Sequence, residues 1–179
     1  LYNGTSILAF DKTAFFASSR PNLEGLGGTI NNIVSATSQV VAGIMTDIET
    51  CKTRLRGFKD KNNKPLNKGA QFEVIVPNHF ATIFEKIQTS ETLIISGATE
   101  TNTLRGTFSI SINDYQSSSD NDWYMVAKNN PFKPFIYQKR KAPLFGVDDN
   151  DKKRYVDFYS TARMGAGPGN PTSIIKVNA

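Results

Sequence analysis

The sequence predicts an α+β fold in which antiparallel strands pack with one long helix. Three observations carry this. Val41, Ile44, Ile48, Cys51, Leu55 and Phe58 recur at steps of three and four, the period of one helix face. Phe108, Ile110 and Ile112 alternate with Thr107, Ser109, Ser111 and Asn113, the period of a half-buried strand. Helix and strand patterns do not alternate along the chain and no internal repeat is visible, which argues against a parallel nucleotide-binding sheet.

Each element follows from local chemistry. Thr5 to Ser19 reads as an extended hairpin, with Ile7, Ala9 and Phe15 alternating around a turn at Asp11-Lys12. Pro21 to Asn32 collects Gly25, Gly27, Gly28, Asn31 and Asn32 and reads as a loop. Ser38 is placed to cap the long helix, which at this length spans roughly 30 Å. Gly57 and the polar run Asp60 to Pro65 end it. Phe72 to Val76 is a short, buried strand. Pro77-Asn78 opens a second helix with Phe80, Ile83, Phe84 and Ile87 on its apolar face. Thr89 to Thr103 supports no assignment. Beyond the period-two strand and a turn at Ser117 to Asn121, strands are expected at Trp123 to Ala127 and Phe135 to Gln138. A long strand is expected at Lys152 to Arg163 and a last one at Ser173 to Val177, with a Gly/Pro turn from Gly165 to Pro171 between them.

With 179 residues, the chain suits one domain, or one domain with a lobe. A compact chain of this size buries on the order of 70% of its unfolded surface and needs no disulfide or metal staple. No apolar run approaches the roughly 20 residues of a membrane span, and Leu1-Tyr2-Asn3-Gly4 does not open a secretory signal. Leu1 is not a start methionine, so the chain is expected to be a fragment or a processed product. Cys51 is the single cysteine, which excludes an intrachain disulfide and reads as a small core residue. A net charge of +5 permits an acidic partner without requiring one.

Catalytic and cofactor chemistry finds little support. Gly165-Ala166-Gly167-Pro168-Gly169 lacks the Gly-Lys-Ser/Thr ending of a phosphate loop. His79 is the only histidine, too few for a zinc site or a histidine-dependent triad. Asp148, Asp149 and Asp151 do not follow EF-hand spacing and read as a solvated acidic loop. No catalytic residue, cofactor or metal site is therefore expected. Lys139, Arg140 and Lys141, flanked by Lys133 and by Lys152-Lys153-Arg154, form the basic region, interleaved with Phe132, Phe135 and Tyr137. That pattern suits single-stranded nucleic acid, but aromatics facing a core, or cations paired with an acidic loop on a neighbour, explain it better.

The order of these segments resembles the major head (capsid) subunit family of Mu-like phages and prophages. The resemblance covers most of the chain. Phe10-Asp11-Lys12 through Arg20-Pro21-Asn22 is similar to a family segment, with Lys12 in a glycine place and Arg20 in a histidine place. Arg56-Gly57-Phe58-Lys59-Asp60, Lys64-Pro65-Leu66 and Val74-Ile75-Val76-Pro77 resemble the family's helix, loop and strand-then-Pro step. The most specific match is Trp123-Tyr124 through Lys133-Pro134 and Gln138-Lys139-Arg140-Lys141-Ala142-Pro143.

The resemblance implies the tailed-phage coat fold, with an E-loop, a spine helix, an A domain and a P domain. It places residues 1–34 in an E-loop-like extended region and 35–70 in the spine helix and loop of the P domain. It places 71–145 in the A domain and 146–179 in a returning P-domain strand, with an N-terminal arm missing. It implies no enzyme but a head subunit that assembles with copies of itself into hexamers and pentamers around double-stranded DNA. Scaffold or protease partners are implied, with no membrane, in the virion and, during assembly, the host cytoplasm. An extended hairpin cannot bury its own apolar groups, so Phe15, Phe16 and Leu23 are candidate interface residues. Lys139, Arg140 and Lys141 against Asp148, Asp149 and Asp151 of a neighbour are candidates for setting register. The rival readings are a basic nucleic-acid-binding module, with steep salt dependence, and a cellular nanocompartment shell of the same fold.

Overall fold

The computed structural model describes residues 7–20, 29–95, 97–131, 133–150 and 155–179, without the side chains of Asp149, Asn150 and Tyr155. The apolar stripe of the long helix folds as its spacing dictates. Helix α1 spans Val41–Gly57 and buries Ile44, Ile48, Cys51 and Leu55, with Phe58 buried just beyond its end. Its 17 residues make it about 25 Å long. Ser38 does not cap it: the N-cap is Val40, with no side-chain hydrogen bond. Instead the buried Asp47 carboxylate, one turn and a half into the helix, accepts from the Thr37 N–H and from its hydroxyl at 2.6 Å. That bond folds the preceding loop back over the helix, so Ser38 lies against Gly43.

A Cβ at Gly43 would meet Ser38 Oγ at 2.0 Å and Ser38 backbone atoms at 2.8 Å. Gly43→Ala is therefore expected to destabilise by about 1–3 kcal/mol, although alanine gains up to about 1 kcal/mol of helix propensity. Urea denaturation of the two proteins checks the sign, and a more stable variant would contradict the contact.

The helix packs on a five-stranded sheet in the order β1-β9-β6-β2-β5. Its strands are β1 (Ile33–Ser35), β2 (Gln71–Pro77), β5 (Phe108–Asn113), β6 (Trp123–Lys128) and β9 (Ile174–Asn178). The sheet is mixed, which corrects the antiparallel expectation. β6 runs antiparallel to β2 and to β9, but β5 runs parallel to β2 and β1 parallel to β9. The parallel β2–β5 pair exists because the segment between them is long enough to cross over. It holds a 3-10 turn (Asn78–Phe80), helix α2 (Ala81–Thr89), and the hairpin β3 (Thr92–Ile95) and β4 (Ala98–Thr101). The hairpin fills the stretch left unassigned from sequence. Phe80, Phe84 and Ile87 seal α2 to the core, and Phe84 meets Trp123 edge-to-face at 5.1 Å.

The N-terminal segment folds onto the opposite side of the sheet. Leu8 and Ala14 pair across the turn, where Lys12 adopts φ +61°. Phe15 and Phe16 are 2% and 3% exposed, clustered with Tyr124 and Ile174. Arg20, fully buried, ties the turn together through Asp11 at 3.0 Å and the Phe15 carbonyl at 3.0 Å. Desolvation outweighs the attraction of Asp11 and holds this guanidinium below its usual pKa.

Buried asparagines join the layers. Asn67 donates to the carbonyls of Leu55 and Thr172, and its Oδ1 accepts from Asn130. Asn32 donates to the Phe15 carbonyl and accepts from the Ala17 N–H. These side chains give backbone groups of distant segments hydrogen-bond partners inside the fold.

The largest departure from expectation is a ribbon. β7 (Phe135–Asn150) and β8 (Tyr155–Pro168) pair antiparallel over 13 registered positions, from Phe135–Pro168 to Asn150–Tyr155. The expected short strand at Phe135 to Gln138 is thus a quarter of β7, and Gly165 to Pro168, expected as a turn, belong to β8. Pro143 falls within a register shift between Lys141 and Leu144, where a missing N–H costs the ladder little. The expected boundary between 71–145 and 146–179 falls inside β7.

Candidate functional site: the exposed ribbon

The ribbon leaves the body at a rigid root. Phe15 packs on Phe135 with ring centroids 5.3 Å apart, and the Gly169 and Asn170 N–H groups donate to the carbonyls of Pro134 and Lys133 at 2.8 and 2.9 Å. Gly169 is required there, because a Cβ would meet the Lys133 oxygen at 2.5 Å. Beyond the root, from Lys139 to Asp148 and from Val156 to Ala166, the described side chains are exposed, with Gly146 half-buried beneath Tyr159.

Registered partners in an antiparallel pair share a face, so the two faces of the outer ribbon can be read directly. Phe145–Ser160, Val147–Phe158 and the position of Val156 fall on one face. Phe145, Val147, Val156 and Phe158 are 83%, 62%, 47% and 80% exposed. Leu144–Thr161, Gly146–Tyr159 and Asp148–Asp157 fall on the other. Four large apolar side chains on one face of a two-stranded ribbon are thus exposed. An isolated hairpin is marginal in water, and a contiguous apolar patch of this kind marks a contact surface.

The sequence-derived interface residues divide sharply. Phe15 and Phe16 are corrected: they already lie in the chain's own core. Leu23 and Asp151 lie outside the described residues, as do Phe132 and Lys152 to Arg154. Lys139, Arg140 and Lys141 sit on the inner half of β7 and are exposed, with Lys141 Nζ donating to Thr161 Oγ1 at 3.0 Å. Asp148 lies seven residues beyond Lys141 on the same strand, about 23 Å away at strand rise, so the two groups cannot pair within one chain. Asp148 instead faces Asp157 across the ribbon, a like-charge pair that water or a cationic partner must relieve. Phe145, Val147 and Phe158 were missed, although Phe145-Gly146-Val147 and Val156-Asp157-Phe158 each carry the two-residue alternation that would have found them.

Elsewhere the chemistry is structural. His79 is exposed, in hydrogen-bond contact with Asn121 Oδ1 at 2.9 Å and stacked near Phe80. Among the described residues, no group of His, Cys, Asp or Glu is placed to hold a metal ion, and no helix is long and apolar enough to cross a membrane. Cys51 is fully buried, and desolvation pushes its thiol up to about 12, with Arg54 opposing and Asp47 adding to the shift. Against the ordinary value of 9.0 the thiolate fraction near neutral pH is about a thousandfold smaller. Iodoacetamide at pH 8 is therefore expected to leave Cys51 unmodified in the native chain and to label it fully in guanidinium. Rapid native labelling, read by mass spectrometry, would contradict the burial.

The described residues thus combine a mixed α+β body with a long ribbon whose outer apolar side chains are exposed. A family model described as phage capsid protein matches residues 3–177, and the chain belongs to that family. The family's description is that of a structural capsid protein. Two solved structures agree in fold. The capsid of an empty GTA particle, computed with C5 symmetry, matches with a TM-score of 0.50 at 12% identity, over 97% of this chain and 59% of that one. A structure from Mycobacterium phage Patience matches with a TM-score of 0.50 at 12% identity, over 92% of this chain and 52% of that one. The chain thus spans little more than half the length of these solved chains. No curated protein matches it in sequence.

Proposed function

We propose that this chain is part of the major head subunit of a tailed phage or prophage of Mu-like type, building hexamers and pentamers that enclose double-stranded DNA. The observation that carries the reading is the ribbon: an arm rooted by Phe15–Phe135 packing and two backbone hydrogen bonds, whose outer apolar side chains are exposed. In this reading α1 is the spine helix, and the reach expected of residues 1–34 passes to β7 and β8. The described part of that N-terminal segment folds back on the sheet, whereas the ribbon extends. A neighbour covers Phe145, Val147 and Phe158, and repetition of that head-to-tail contact closes into rings.

Charge supports the same geometry. Lys139, Arg140 and Lys141 near the root and Asp148 near the tip are too far apart to meet within a chain, but adjacent copies can bring root and tip together. Asp149 and Asp151 add to the acidic end in sequence. Packaged DNA is met through non-specific contacts with cationic side chains, and scaffold or protease proteins act during assembly in the host cytoplasm.

Negative-stain electron microscopy of the complete reading frame expressed in bacteria tests this. Closed shells, rings or tubes are the expected outcome. Small discrete particles with salt-sensitive DNA binding would replace it with the nucleic-acid-binding module.

A further inference from the structure

The ribbon has a second face, and the charges on it follow a pattern. Lys141 and Arg163 are registered partners, and Lys141 Nζ reaches the Thr161 hydroxyl on the same face at 3.0 Å. Side chains alternate along β8, so Arg163, Thr161, Tyr159 and Asp157 share that face. Asp157 is in turn registered with Asp148. The face therefore carries two cations at one end and two carboxylates at the other, all four exposed. Arg163 and Asp157 are six residues apart on β8, roughly 20 Å at strand rise. Between the charges lie Leu144 and Tyr159, 57% and 51% exposed, with the Tyr159 ring over Gly146, where a Cβ would meet it.

Like charges directly opposite on a ladder destabilise it. This ribbon holds one such pair of each sign, too far apart to neutralise each other within one chain. Along its length the face reads positive, apolar, negative, and it reverses sign about a midpoint beside Leu144. Such a surface is complementary to itself under one operation, a two-fold axis that crosses the ribbon at the level of Leu144. That rotation lays β7 on β7 and β8 on β8 in opposite directions. Lys141 then meets the second copy's Asp148, Arg163 meets its Asp157, and the two Leu144 side chains meet at the axis. A stack in the same direction would put cation on cation and carboxylate on carboxylate. A nucleic-acid backbone would satisfy the basic end alone and leave the carboxylates facing each other.

We propose that this charged face docks on the same face of a second copy of the chain, as an isologous two-fold contact. The proposal rests on the reading that copies associate through the ribbon. It adds a contact of different symmetry from the head-to-tail one assigned to the apolar face. The two use opposite faces, so one ribbon makes both at once. The area is small. A face about 20 Å long and about 10 Å wide buries about 200 Å² per copy, against the roughly 800 Å² of a stable pair. The contact is therefore weak between free chains and gains strength where many copies are held side by side.

The test is cross-linking of the concentrated full chain carrying Leu144→Cys, at low salt, with a short bis-maleimide whose reach suits the roughly 10 Å between packed sheets. Cys51 is buried and stays unlinked. Ser160→Cys, on the apolar face, is the reference. Lys141→Glu with Arg163→Glu makes the charged face wholly acidic, and Asp148→Lys with Asp157→Lys makes it wholly basic. The expected result is a Leu144→Cys dimer whose yield falls about tenfold in either charge background and in molar salt. The yield returns when the two backgrounds are mixed, and the charge changes leave the Ser160→Cys yield unaltered. No Leu144→Cys dimer, or a yield indifferent to charge and salt, would overturn the contact. Salt-sensitive binding of a short DNA duplex, lost in the acidic background and with no dimer, would overturn it in favour of nucleic acid at the basic end. Shell assembly is read separately, by electron microscopy of the complete subunit carrying Leu144→Cys. Shells without the cross-link remove this contact and keep the shell reading, whereas the cross-link without shells keeps the contact and removes the shell.

Discussion

Replacing Phe145 and Phe158 together by aspartate should abolish assembly of the complete subunit while leaving the folded monomer intact. The two rings are 83% and 80% exposed in the isolated chain, so the fold loses almost nothing when they go. Surface substitutions of this kind usually change stability by less than about 0.5 kcal/mol. In a shell the same rings are covered, and full burial of a phenylalanine contributes about 1.5–3 kcal/mol. Losing both removes about 3–6 kcal/mol at every ribbon contact and places two carboxylates in an apolar seat, which costs more still. Electron microscopy should show no closed particles, and the thermal midpoint should match wild type within about 2 °C. Normal shells from the double variant would remove the ribbon from the interface. A collapsed midpoint would mean that the rings support the monomer after all.

Trp123→Ala should be the most damaging single change in the body. Trp123 opens β6, the strand between β9 and β2, and is 1% exposed against Phe84. Large-to-small replacement of a buried aromatic costs about 3–5 kcal/mol through lost transfer energy and the cavity left behind. For a chain of this size that corresponds to a fall in midpoint of about 6–20 °C. Loss of the only tryptophan also removes its fluorescence, so circular dichroism in urea is the suitable readout. A cost below about 1 kcal/mol would show that α2 and the sheet are not coupled through this ring.

Much of the body was legible from local pattern. The α1 stripe, the α2 face and the alternation in β5 each carry a periodic signal that reports burial on a single element, and β2, β6 and β9 stand out as short apolar runs. Cap chemistry was less reliable. Ser38 has the right residue type, but Asp47 and Thr37 make the bond that folds that loop, and a glycine gives Ser38 a place to lie. Phe15 and Phe16 were misjudged because an extended hairpin read alone has nowhere to hide two rings. Tyr124 and Ile174, more than a hundred residues away, supply the cover.

The ribbon was hidden for a different reason. Glycine and proline normally punctuate chains, so Gly165 to Pro168 read as a turn. An exposed two-stranded arm tolerates them, since Pro168 ends its strand and Pro143 sits at a register shift.

By itself the sequence determined which residues form the helices and most of the sheet strands, and its ordered segments pointed to the capsid family. Only the tertiary structure decided the strand order, the parallel edges, the burial of Phe15 and Phe16, the exposed apolar face of the ribbon, and the meeting of Lys141 with Arg163 and of Asp148 with Asp157 across it. Periodicity records how one element sits against an apolar surface. Which surface covers it, and which distant charges come together, is fixed by pairing between segments far apart in the chain, and that leaves no periodic trace in either one.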